Sequence, residues 1–218
     1  MAPDDIPLPD RSAPGPRFRR RAEARPDEVL DAALELFARQ GYAGTTVEQI
    51  ARHAGLSKAA VYLYFPSKQA LLTGLVRRAI VPLADEALAR IAAYRGDPRP
   101  VLRQLLGMLS GRLADPKVFA VPGVVLREAA SAPEVAAMYR AEVLDRVLPA
   151  LASLLAQGIE GGHIRRGDPE LMVRSVVGPV FVHLVLASVF GVGRGELPAL
   201  LESHLAILCA GLEPESAP

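Results

Sequence analysis

From Thr45 to Leu71 the chain reads TTVEQIARHAGLSKAAVYLYFPSKQAL, and helix starts and stops alternate so closely along it that only short helices fit. One helix opens at Thr45 or Thr46. Thr46 is followed three residues later by Gln49, the spacing of a capping box in which each side chain satisfies an open backbone N–H of the other. Gly55 ends that helix. Ser57 caps the next, Pro66 breaks it, and Ser67 caps a third whose Leu71, Leu72 and Leu75 face inward. Ala51 is small where two helices must cross, Gly55 permits a sharp turn, and Ile50, Leu56 and Val61 supply a small core that fixes the angle. Two short capped helices joined by a Gly-containing turn predict a helix-turn-helix.

The flanks are helical as well. After Pro26-Asp27-Glu28, a proline and two acids at a helix start, Val29, Ala32, Ala33, Leu36 and Phe37 recur at helical spacing up to Gly41. From residue 83 onward the pattern stays helical. Breaks fall at Gly96-Asp97-Pro98, Asp115-Pro116, Val121-Pro122-Gly123, Ala132-Pro133, Gly161-Gly162, Gly167-Asp168-Pro169 and Gly191 to Gly195, which predicts five or six further helices. No stretch alternates like a strand, so the expected fold class is all-α. Residues 1–22 read as a disordered, partly basic tail, with five prolines in the first 16 positions. Residues 23–80 read as the helix-turn-helix domain, and 81–218 as a larger helical domain.

Charge divides along the same lines. Residues 17–81 hold 11 basic against 6 acidic residues, a net +5, whereas residues 82–218 hold 13 against 15, a net −2. A basic segment in an otherwise balanced chain is what a phosphate-facing domain requires. Cys209 is the sole cysteine, which excludes an intramolecular disulfide or a cysteine-based zinc site and makes a reduced cytoplasm the expected compartment. The proline-rich, acidic N-terminus lacks the basic start and apolar run of a secretory signal. Ser175 to Val192 is uncharged and close to the roughly 20 residues that span a bilayer, but Gly178-Pro179, His183 and Gly191 interrupt it, so a helix buried on all sides is expected and no membrane partner.

The helix opened by Ser57 is the one that would read DNA. In a helix-turn-helix the second helix enters the major groove by its N-terminal turn, here Ser57, Lys58, Ala59 and Ala60, whose short side chains let the backbone approach. Tyr62 and Tyr64 carry hydroxyls for phosphate, and Lys68 stands at the start of the next helix, where amide groups favour an anion. Thr45 and Thr46 complete the candidate contacts. Capping alone accounts for Thr46 and Ser57, a solvated surface for the lysines and a core for the tyrosines. The basic run Arg17, Arg19, Arg20 and Arg21 is either an arm touching DNA or a tail without a role.

Across residues 27–80, LELFARQGYAGTTVEQIARHAG and LSKAAVYLYFPSKQAL resemble the TetR family of regulators: a Gly-Tyr-x-x-Thr-Thr junction and a Gly-x-Ser-Lys-x-x-x-Tyr-x-Tyr-Phe recognition segment. By that resemblance Thr46, Lys58, Ala59, Ala60, Tyr62, Tyr64 and Lys68 fall at DNA-contacting positions. Leu63 departs from the pattern, occupying a place where many members carry a polar or aromatic residue. The resemblance implies a repressor that binds palindromic operator DNA as a homodimer and is released by a small-molecule effector. It also implies dimerisation through the last two long helices, about 169–190 and 196–211.

A pocket in the larger domain is expected among Leu105, Met108, Leu109, Phe119, Met138, Tyr139 and Phe181, which fits an apolar or amphipathic effector, although such stripes are core more often than pocket. Arg127, Glu128 and Arg140 are candidates to receive a polar group. His163, His183 and His204 lie in separate segments without paired carboxylates, so no metal and no cofactor is expected. The chain has no Gly-rich phosphate loop and no nucleophile elbow, which argues against an enzyme. The rival readings are a helical interaction or membrane-associated module without a specific operator and, further off, an all-α enzyme.

Overall fold

In the computed structural model, which describes residues 16–193 and 195–214 with side chains from Pro26 onward, every regular element is a helix. In order they are α1 Pro16–Gln40, α2 Val47–His53, α3 Lys58–Tyr64, α4 Lys68–Ala79, α5 Val81–Ala93, α6 Pro98–Leu113, α7 Pro116–Glu128, α8 Pro133–Tyr139, α9 Asp145–Glu160, α10 Pro169–Val185 and α11 Leu197–Gly211. Single π turns, Arg140–Leu144 and Leu186–Phe190, follow α8 and α10. Three Asp-Pro pairs set the starts of α6, α7 and α10. Asp97, Asp115 and Asp168 each accept a backbone N–H of the first turn, and the proline behind each occupies a position where its missing N–H costs nothing.

Three expectations change. The first helix begins at Pro16 rather than at Pro26, so residues 16–22 are helical, while the rest of the expected tail lies outside the described residues. The Arg- and Ala-rich stretch ahead of Pro26 has high helix propensity, and one proline removes one intrahelical bond without ending the helix. The side chains of Arg17 to Arg21, and with them the arm reading, also lie outside the described residues. Pro122 does not break α7 either, because Val121, Val124 and Val125 around it are anchored in the core. Finally, the apolar run after Pro169 is not buried on all sides: Val173, Val176, Val180, His183 and Leu184 face inward, but Phe181, Val182, Val189 and Phe190 are about half exposed or more. Length and composition would let Pro169–Phe190 cross a bilayer, yet its inner face belongs to a protein core.

The core has two parts. One joins α1 to α4, around Val29, Phe37, Ile50, Val61, Leu71, Leu72 and Leu75, to Val121, Val124 and Val125 of α7 and Val135 of α8. The other packs α5, α6, α9, α10 and α11 around Leu102, Leu154, Leu155, Val176 and Leu201. α7 belongs to the first by its buried valines and touches the second through Phe119 and Leu126. Asp31 of α1 receives both Arg78 of α4 and Lys117 of α7 at 2.6 Å, tying the same three helices on the surface.

Candidate functional site

The geometry of α3 follows from its two ends. Gly55 adopts φ +67°, a left-handed turn that a side chain would strain, and Leu56 N–H returns to Ala51 O at 2.8 Å. Ser57 Oγ then accepts Ala60 N–H at 3.1 Å and starts α3. α2 is held by the full capping box, with Thr46 N–H to Gln49 Oε1 at 2.7 Å and Gln49 N–H to Thr46 Oγ1 at 3.2 Å. α3 buries only Val61. Its open side presents Ser57, Lys58, Ala59, Tyr62, Leu63 and Tyr64, with Ala60 half-buried at the edge. Leu63, at 83% exposure, is an apolar side chain left in water on a helix that contributes almost nothing to the core. Lys58 reaches Glu48 at 3.2 Å, but both are exposed, so the pair is worth about 0–1 kcal/mol and yields readily to another anion.

Two of the expected contacts play inward roles. Thr45 is 1% exposed; its hydroxyl donates to Gly41 O at 2.7 Å and accepts from Gln40 Nε2, so it closes the α1–α2 turn and is not a surface contact. Lys68 Nζ donates to Tyr42 O at 2.7 Å and Ala43 O at 3.3 Å and lies 4.3 Å from the centre of the Tyr42 ring, where the π face attracts a cation. In this structure it fastens that turn. Tyr42 N–H is in turn accepted by Glu128 Oε1 at 3.1 Å, from the last residue of α7. Glu128 is 9% exposed and Tyr42 7%, so the reading head and α7 meet through a buried, charge-assisted bond. Burial, with Glu134 and Glu128 adding to it, raises the Tyr42 phenol above its usual range.

Behind the head, two cavities lie against α6 and α7. The first, about 230 Å³, sits between α5, α6, α9 and α10 and is lined by Leu105, Met108, Leu109, Tyr139, Val147, Val180 and Phe181 among other hydrocarbon side chains. Tyr139 supplies its one polar side-chain group, and burial pushes that phenol up to about 12. The second, about 720 Å³, lies between α6, α7, the π turn after α10 and the start of α11. Its wall includes Phe119, Gly123, Arg127, His183 and Ser188, and Leu113 borders both cavities. A Cβ on Gly123 would stand 2.7 Å from Ser188 Oγ, so a side chain there would make Ser188 shift.

Residues 29–75 match the family model described as bacterial regulatory proteins, tetR family, and residues 92–189 match that of the tetracyclin repressor-like C-terminal domain. The chain belongs to the TetR family. The fatty acid metabolism regulator protein of Bacillus subtilis is 27% identical over 188 residues, covering 85% of this chain and 94% of that one. Among solved structures, FadR of Bacillus subtilis in complex with stearoyl-CoA superposes with a TM-score of 0.71 at 25% identity, over 86% of this chain and 99% of that one. SmeT of Stenotrophomonas maltophilia in complex with triclosan gives 0.72 at 26% identity, over 89% and 99%. As a TetR-family protein the chain is a transcriptional regulator with a DNA-binding helix-turn-helix head.

Within this TetR-family fold, Leu105, Met108, Leu109, Tyr139 and Phe181 come together in the first cavity. The other two expected pocket residues do not join them. Phe119 lines the second cavity, and Met138 packs against the core of the head, since α8 turns toward α4. Arg127 and His183 meet in the second cavity, while Arg140 pairs with Asp145, and His204 hydrogen-bonds Val176 O. Sequence reasoning missed Gln40, Tyr42 and Ser188. Only Tyr42, within the Gly-Tyr-x-x-Thr-Thr junction, carried a signal.

Proposed function

We propose that this TetR-family regulator is a repressor that binds a palindromic operator as a homodimer and is released by an effector with a long apolar chain. The observation that carries the reading is the hydrocarbon-lined cavity of about 230 Å³, set behind a helix-turn-helix whose α3 buries only Val61. Ser57, Lys58, Ala59 and Ala60 read base edges. Tyr62 and Tyr64 bind phosphate, Thr46 caps α2 beside the backbone, and Lys68 holds the turn that positions them. An acyl chain suits the cavity by chemistry, and the relatives named for fatty acid metabolism and for stearoyl-CoA support that class. The chain acts by binding, not catalysis, in the compartment that holds the DNA.

The exposed apolar face of α10 and α11, with Phe181, Val182, Phe190 and Ile207 between 54% and 71% exposed, supports the dimer. Two heads spaced about 34–36 Å apart reach successive major grooves. The test is footprinting of the purified protein on DNA flanking its own coding sequence, followed by titration with lauroyl-CoA and dodecanoate. A symmetric footprint erased by a chain-bearing ligand is expected. A protein that ignores every duplex at low ionic strength refutes the reading.

A further inference from the structure

In the second cavity two polar atoms are buried without a partner: His183 Nε2 and Ser188 Oγ, which among the described residues are the buried side-chain atoms in that condition. A buried polar group without a hydrogen bond costs free energy, and both atoms belong to residues of this one wall, which makes it a place where a polar partner would be favourable. His183 is 6% exposed, and Phe119 braces its ring edge-on at 6.3 Å, so the nitrogen is held in place. The Arg127 guanidinium stands on the same wall. One of its N–H groups donates to Ser188 O at 3.2 Å, and it makes no ion pair among the described residues, which leaves donors of its fork unspent. Glu196 lies beside Gly193, near the Cε1 edge of the His183 ring, and is not part of the wall.

The two cavities share a partition. Leu113 borders both, and the neighbours Pro122 and Gly123, like Leu184 and His183, line one cavity each. A molecule crossing that partition would have its hydrocarbon among leucines and its polar end among Arg127, His183 and Ser188. We propose that the second cavity is the seat of the effector's head group, and that this head is a carboxylate: a planar anion that accepts from the Arg127 fork and the Ser188 hydroxyl and is close enough to use His183. The proposal rests on the reading that the first cavity takes the effector's chain.

Calorimetric titration of the full chain with dodecanoate, 1-dodecanol and lauroyl-CoA tests it, using the wild type, Arg127→Gln, Ser188→Ala and His183→Phe, each checked by its thermal melt. Dodecanoate is expected to bind at least tenfold more tightly than dodecanol. That preference should fall below threefold in Arg127→Gln, whose exposed side chain is free to change without unfolding the protein, while dodecanol affinity stays constant. Equal affinity for acid and alcohol, unmoved by the variants, overturns the head-group site while leaving the chain cavity in place, and means that the second cavity holds water only. Tighter binding of lauroyl-CoA that is indifferent to Arg127→Gln overturns the carboxylate assignment. Failure of all three ligands sinks the apolar-chain reading on which the proposal rests.

Discussion

Glu128 is the place to cut the joint between the cavities and the reading head. Its Oε1 accepts Tyr42 N–H at 3.1 Å where both residues are under a tenth exposed, so Glu128→Ala strands a backbone donor that water cannot readily reach. A hydrogen bond to a charged acceptor contributes about 1.5–3 kcal/mol, and the expected loss is about 2 kcal/mol. Glu128→Gln keeps an oxygen at the same reach and gives up only the charge, which roughly halves the bond, so about 1 kcal/mol is expected. At this chain length each kcal/mol moves Tm by about 2–4 °C, so alanine should melt roughly 4–8 °C lower. Urea unfolding and thermal melts followed by circular dichroism measure both, at one fixed protein concentration because an oligomer's stability depends on it. Alanine within about 0.5 kcal/mol of wild type, or glutamine as damaging as alanine, refutes the argument that the acceptor atom is what matters.

Four further outcomes are expected. Lys58→Ala should weaken operator and random duplex alike and flatten the dependence of log affinity on log salt by about one; an unchanged slope removes Lys58 from the phosphate contacts. Burial alone would raise the Asp31 carboxyl, but hydrogen bonds from Lys117 and Arg78 outweigh it and hold the pKa below its ordinary value. The stabilisation is therefore present above the unfolded value and lost as pH falls through the lower folded one, so Asp31→Asn should melt earlier than wild type at pH 7, by a margin that closes as the pH is lowered through the folded pKa. Ile207→Asp places a charge on the exposed face of α11, where Ile207 is 71% exposed, and sedimentation should then find monomers of unchanged helicity; an intact dimer moves the interface elsewhere. Met108→Trp fills part of the first cavity and should cut dodecanol affinity at least tenfold with DNA binding intact, and unaltered affinity would mean that the chain sits elsewhere.

The short helices were legible because their signals are local. A threonine three residues before a glutamine, a serine after a glycine, and an aspartate before a proline each act within one turn, and each sits where those rules put it. What depends on distant partners was not legible. Nothing near Thr45 says that its hydroxyl turns back to Gly41, and nothing near Lys68 says that the Tyr42 carbonyl lies within reach of its ammonium, 26 residues back along the chain. The pocket residues divide the same way: five on facing helices meet, whereas Met138 is carried off by a change in helix packing that apolar periodicity does not encode. Pro122 misled because a proline stops a helix only when nothing else holds it.

On the proposed reading, α7 is the element through which a ligand reaches DNA. In 13 residues it puts Pro122 on the first cavity, Phe119, Gly123 and Arg127 on the second, Val121, Val124 and Val125 in the core of the head, and Glu128 on Tyr42. Pro122 has no N–H, so the carbonyl one turn back lacks its usual partner and the helix is weakest in a turn that carries both cavity-facing and head-facing residues. A ligand shifts an equilibrium only by the difference in its affinity for two states, and about 1.4 kcal/mol of difference changes operator binding tenfold. One buried bond of the Glu128 kind is of that size. Occupancy that breaks this bond is therefore enough to move the heads off their spacing, without any large rearrangement of the cores.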